Sequence, residues 1–122
     1  MNTPLNTTPW AQADNGQTVD LETARATLEE GRIAVFDLRE PFEHATGVAA
    51  GARLLPMSQI NARLAEIPTD QPVLLMCNTQ NRSRMIAEAL WERGYKHVRY
   101  VIGGMSLWTL HGWPKVPPPA GS

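Results

Sequence analysis

Three short apolar runs, Ile33-Ala34-Val35-Phe36-Asp37-Leu38, Val73-Leu74-Leu75-Met76 and His97-Val98-Arg99-Tyr100-Val101-Ile102, are separated by segments of helical periodicity. Runs of this length bounded by turn residues read as strands. A near-continuous run such as 33–38 is what a parallel sheet requires when both of its faces are covered. Strands alternating with helices predict a three-layer α/β domain with a mainly parallel sheet. A chain of 122 residues is one domain's worth, enough to bury roughly two-thirds of its unfolded surface in a single core. Ligands of such sheets bind outside the carboxyl ends of the strands. The site is therefore expected where Asp37 with Arg39, the loop after Cys77, and Gly103-Gly104 come together.

The remaining elements follow from capping and turn chemistry. After a brief extended stretch at Gln17-Thr18-Val19, Asp20 is placed to cap a helix carrying Leu21, Ala24 and Leu28, stopped by Gly31. Pro41 opens a short helix through His44, and 47–51 reads as loop before a strand at Arg53-Leu54-Leu55, ended by Pro56. Ser58 is expected to cap a helix with Ile60, Leu64 and Ile67 on one side. Ser83 to Arg93 reads as a helix with Met85, Ile86, Ala89 and Leu90 apolar and Gly94 as its stop, and Met105 to His111 as a last one ended by Gly112. The domain is drawn at 17–115. Residues 1–16, rich in Asn, Thr and Pro, read as a flexible arm from which Trp10 can fold back, and 116–122 as a Pro-rich tail.

Cys77 is the single cysteine. It ends an apolar strand and is followed by the polar loop Asn78-Thr79-Gln80-Asn81, then Arg82 and Ser83 at the start of a helix. Successive loop amides and the free N–H groups of a first helical turn form a nest that favours negative charge. A thiol there, with an arginine beside it, is biased towards thiolate and reactivity. The competing reading, a buried cysteine serving as a small hydrophobe, fits a mid-strand position better than a strand end facing a polar loop. A lone cysteine forms no internal disulfide and has no resolving thiol of its own, so its sulfur must exchange with an external partner. Cys77 is thus the candidate nucleophile and Arg82 the charge-stabilising residue. Asn78, Thr79, Gln80, Asn81 and Ser83 are candidates for binding substrate, with Ser83 weighted towards capping the helix.

Net charge is -1 and the basic residues are scattered, which leaves no electrostatic footprint for nucleic acid. Residues 1–6 carry neither a basic nor an apolar leader segment, and no apolar run approaches a membrane span, so a soluble, cytoplasmic protein is expected. His44, His97 and His111 lack partners at metal-ligand spacing. Asp37 and Arg39 read as a structural pair that fixes the strand-end loop. Arg84 either steers an anion or is an ordinary solvated helix residue. Trp91, Trp108 and Trp113 read as core or partly covered surface.

Four stretches in order, Asp37-Leu38-Arg39-Glu40-Pro41-Phe42-Glu43, Gly47 through Gly51-Ala52, Cys77 to Ser83, and Gly103-Gly104-Met105-Ser106-Leu107-Trp108, resemble the motifs of the single-domain rhodanese (thiosulfate sulfurtransferase) homology family. The resemblance covers about Val19 to Lys115. It implies a five-stranded parallel sheet flanked by helices and a persulfide on Cys77, with no metal or organic cofactor. It also implies a small anionic sulfur donor such as thiosulfate, and cyanide, a thiol or a carrier protein as acceptor.

Two positions depart from the family pattern. Gln80 stands where a glycine is usual; a positive φ there would cost on the order of 1 kcal/mol. The frequent Gly-His-Ile stretch reads Gly47-Val48-Ala49. Two other functions share some of these features. Cysteine phosphatases and arsenate reductases also set cysteine and arginine around an anion loop, but with one more residue between them than the four that separate Cys77 from Arg82. A non-catalytic module that binds a partner or senses oxidants would be compatible with Gln80, though not favoured by retention of both Cys77 and Arg82.

Overall fold

The computed structural model describes residues 16–120; of the arm expected at 1–16, residues 1–15, with Trp10, lie outside them. Five strands form one sheet: β1 (Thr18–Val19), β2 (Ala34–Asp37), β3 (Arg53–Leu54), β4 (Val73–Met76) and β5 (Val98–Val101). Their order is β1-β5-β4-β2-β3 and every neighbouring pair is parallel. The helices are α1 (Leu21–Glu30), α2 (Pro41–His44), α3 (Asn81–Glu92) and α4 (Gly104–Leu110).

Side chains alternate along a strand, and the core divides accordingly. Val35, Leu74, Met76 and Val101 meet Leu21, Ala24 and Leu28 of α1 and Met105 and Trp108 of α4. On the opposite face Phe36, Val73, Leu75, Cys77 and Val98 meet Ala87 and Leu90 of α3, with Leu55, Ile60 and Ile67 beside them. Three layers result, and β4 at the centre is buried along its whole length. The same alternation carries Cys77, one residue past β4, onto the α3 face with Val73 and Leu75.

Local chemistry sets most boundaries. Asp20 caps α1 by accepting the Thr23 amide at 2.7 Å, and Gly31 ends it at φ 77°. α2 starts on Pro41 behind a reciprocal capping box between Glu40 and Glu43. The helix expected from Ser58 does not form. Its place is taken by two 3₁₀ turns, Met57–Gln59 and Leu64–Glu66, because Glu40 takes the Ser58 hydroxyl at 2.6 Å and the Ser58 amide at 3.0 Å. α3 starts two residues earlier than Ser83, and its sheet-facing stripe is Ser83, Ala87 and Leu90, leaving Met85 exposed. Val116 of the tail exchanges two backbone hydrogen bonds with Val48, each 2.8 Å. Among the described residues no helix is long and apolar enough to cross a membrane.

Candidate active site

Cys77 lies at the carboxyl end of the central strand, 1% exposed, below the start of α3. The helix delivers Ser83 to it. Ser83 is fully buried, its amide donates to Cys77 Sγ at 3.4 Å, and its Oγ lies 3.4 Å from the same sulfur. Oγ also donates to the Gln80 carbonyl at 3.2 Å. Ser83 is therefore not the helix cap it was expected to be. It sits three residues inside α3, on the stripe that faces the sheet, where a small side chain lets the helix start close to the thiol. The first intrahelical bond runs from the Arg84 amide to the Gln80 carbonyl at 2.8 Å, so the amides of 81–83 precede the ladder. Of these, Ser83's is the one aimed at Sγ.

The loop itself is held by α4. The Cys77 carbonyl accepts the Met105 amide at 2.9 Å and the Asn78 carbonyl accepts the Ser106 amide at 2.7 Å. With trans peptides throughout the described residues, the Asn78 and Thr79 N–H groups point opposite to those carbonyls, away from α4. Gly104 makes this approach feasible. A Cβ on it would fall 2.2 Å from the Cys77 carbonyl oxygen and 2.6 Å from that of Thr79, and its φ is 40°. Asn78, Thr79 and Asn81 are exposed over the buried thiol.

Gln80 removes the question raised by the missing glycine. Its backbone has φ −151°, ψ −1°, and no non-glycine residue among those described has positive φ. Its side-chain Oε1 accepts the Gly103 amide at 3.2 Å, which ties the Cys77 loop to the turn after β5.

Arg82 does not stand alone. Its Nη1 and Nη2 donate to the two carboxylate oxygens of Glu43 at 2.6 Å and 2.8 Å. Hydrogen bonds from Arg82 hold the Glu43 carboxyl below its ordinary value against the opposing effect of burial, and the same bonds raise Arg82. Sequence reasoning did not identify Glu43 as part of the site. The available signal was topological: it follows β2, the strand beside β4. Arg84 pairs along the helix with Glu88 at 3.3 Å.

Asp37 and Arg39 form the structural pair expected of them. Arg39 Nε and Nη2 donate to the Asp37 carboxylate at 3.0 Å and 2.8 Å, and Nη2 also donates to the Gly47 carbonyl at 2.9 Å. Nη1 reaches the Glu43 carbonyl at 3.3 Å, so this buried cluster also anchors α2. His44 Nε2 lies 3.4 Å from Asp37 Oδ1 without the alignment of a hydrogen bond. Burial pushes the Asp37 carboxyl up, but His44 and Arg39 outweigh it and hold it below its ordinary value.

Comparison with known proteins agrees with this fold. The family described as Rhodanese-like domain matches residues 20–111. A protein named sulfurtransferase from Allochromatium vinosum is 37% identical over 101 residues, which is 82% of this chain and 94% of that protein. The Mycobacterium tuberculosis protein named "Probable adenylyltransferase/sulfurtransferase MoeZ" is 35% identical over 107 residues, 85% of this chain but only 27% of the relative. A crystal structure of a rhodanese-related protein from Thermoplasma volcanium superposes with a TM-score of 0.73 at 25% identity, over 84% of this chain and 99% of the other.

Proposed function

The chain belongs to the rhodanese-like domain family, and from that premise we propose that it moves sulfane sulfur from thiosulfate or a persulfide donor to cyanide, a thiol or a carrier protein through a persulfide on Cys77. The observation that carries this reading is the lone thiol at the end of β4 with the Ser83 amide and hydroxyl both at 3.4 Å from Sγ. Those groups favour negative charge on sulfur. Ser83 has one hydroxyl hydrogen and two acceptors for it, the Gln80 carbonyl and the ionised sulfur, so a small rotation moves the donor onto a thiolate.

With thiosulfate, the Cys77 thiolate attacks the outer sulfur. The new S–S bond forms as the bond to the sulfonate sulfur breaks, and sulfite leaves with the electron pair. In the second half-reaction an acceptor nucleophile takes the terminal sulfur and the Cys77 thiolate departs. Neither half-reaction needs a general base once the thiolate exists. The amides of Asn78 and Thr79, which point away from α4, with Gln80, Asn81 and Ser83 around them, are assigned to the terminal sulfur and the leaving group, and Arg82 to the charge they share. A free thiol of this kind persists in a reducing compartment, which supports a cytoplasmic location. The test is thiocyanate formation from thiosulfate and cyanide. Turnover by the wild type, abolished by Cys77→Ser in a folded protein, is the expected result; turnover that survives Cys77→Ser would refute the assignment.

A further inference from the structure

Arg82 is the one charged side chain between Cys77 and Ser83, and both of its terminal nitrogens are committed to Glu43. The two residues are brought together by the sheet order: α2 leaves the end of β2, α3 follows β4, and these strands are neighbours. Glu43 is not free to swing aside. Its Oε1 also accepts the Glu40 amide at 2.9 Å, which closes the capping box of α2, and its side chain is 19% exposed. Moving the carboxylate would undo a helix cap as well as an ion pair. Arg82 directly precedes Ser83, whose amide donates to Cys77 Sγ at 3.4 Å, so the pair is carried on the residue next to the one that touches the sulfur.

We infer that Glu43 is a specificity-determining residue: by fixing a negative charge against Arg82 it offsets the one positive side chain of the Cys77 loop and turns the site towards sulfur carriers of low charge. In terms of substrate class, which rests on the sulfur-transfer reading above, this favours a thiol-borne persulfide over a dianion. With such a donor, R–S–SH, the thiolate attacks the outer sulfur, the donor's S–S bond breaks, and RS⁻ leaves with the electron pair while the persulfide hydrogen stays on the new Cys77 persulfide. One negative charge is carried throughout. The thiosulfate reaction instead gathers three beside Glu43.

The charge argument is testable without any sulfur donor. Iodoacetamide and iodoacetate alkylate the same thiol, one neutral and one anionic, so the ratio of their rates cancels changes in thiolate fraction and burial. For Glu43→Gln at low ionic strength the iodoacetate/iodoacetamide ratio is expected to rise about 3- to 10-fold over wild type, as removal of one nearby charge dictates, and added salt should bring it back down. Because the thiolate itself repels iodoacetate, the wild-type ratio should stay level or rise gently as salt is added and should not fall, a measurement that needs no variant to fold. A ratio unchanged in Glu43→Gln, or a wild-type ratio that falls steeply with salt and so reveals a cationic mouth, would overturn the inference. If the ratio shifts as expected while neither thiosulfate nor a small thiol persulfide modifies Cys77, the role of Glu43 stands and the sulfur-transfer reading fails instead.

Discussion

Gln80 connects two loops that converge over the thiol, through a single hydrogen bond from its side chain to the Gly103 amide. Because its backbone lies in ordinary negative-φ space, there is no strain for a glycine to relieve. Gln80→Ala is therefore expected to lower stability by about 1 kcal/mol, the net worth of one partly buried hydrogen bond. Gln80→Gly should cost roughly 0.5–1 kcal/mol more through the flexibility it adds to the unfolded chain. Urea denaturation of the three proteins measures this order; a glycine variant more stable than wild type would mean that the loop is strained after all. At the same scale, Ser83 combines two requirements in one residue. It is small enough for the sheet-facing stripe of α3 and polar enough to offer the sulfur a hydroxyl and an amide.

Between elements, the decisive contact is the one between the Cys77 loop and the first turn of α4. Helix N-termini present unpaired amides, and here two of them bind the Cys77 and Asn78 carbonyls, which orients the loop's own amides the other way. The approach leaves no room for a side chain at Gly104, where a Cβ would meet backbone oxygen at 2.2 Å. Gly104→Ala is expected to cost about 3 kcal/mol, by adding overpacking against rigid backbone to a positive φ, and to change the alkylation rate of Cys77 as the loop shifts. Gly112 is the control: its φ is 70° but nothing lies within 4 Å of the added Cβ, so Gly112→Ala should cost only about 1–2 kcal/mol. Equal losses of stability at the two glycines in thermal denaturation would show that crowding at the loop plays no part.

For the molecule as a whole, what could be read from the sequence is what is decided within a few residues. The Asp20 cap and Gly31 stop of α1, the Pro41 start of α2, and the apolar runs of β2 and β4 all obey local rules, and alternation of strand with helix carried them to a parallel three-layer sheet. The lone cysteine at a strand end was legible for the same reason. What escaped depends on distant partners. Glu43 and Arg82 are 39 residues apart, Gln80 and Gly103 are 23 apart, and both pairs exist only because the sheet order sets their strands side by side. Ser58 reads as a cap until Glu40, 18 residues earlier, takes its hydroxyl. The account as a whole rests on Cys77 holding sulfur covalently, and the intact mass of the protein after incubation with thiosulfate or a small thiol persulfide reports that step without any choice of acceptor. The predicted result is a gain of one sulfur atom, removed by cyanide or dithiothreitol and absent in Cys77→Ser. An unchanged wild-type mass across a wide range of both donors, with Cys77 still open to alkylation, would contradict it and leave a binding module in place of an enzyme.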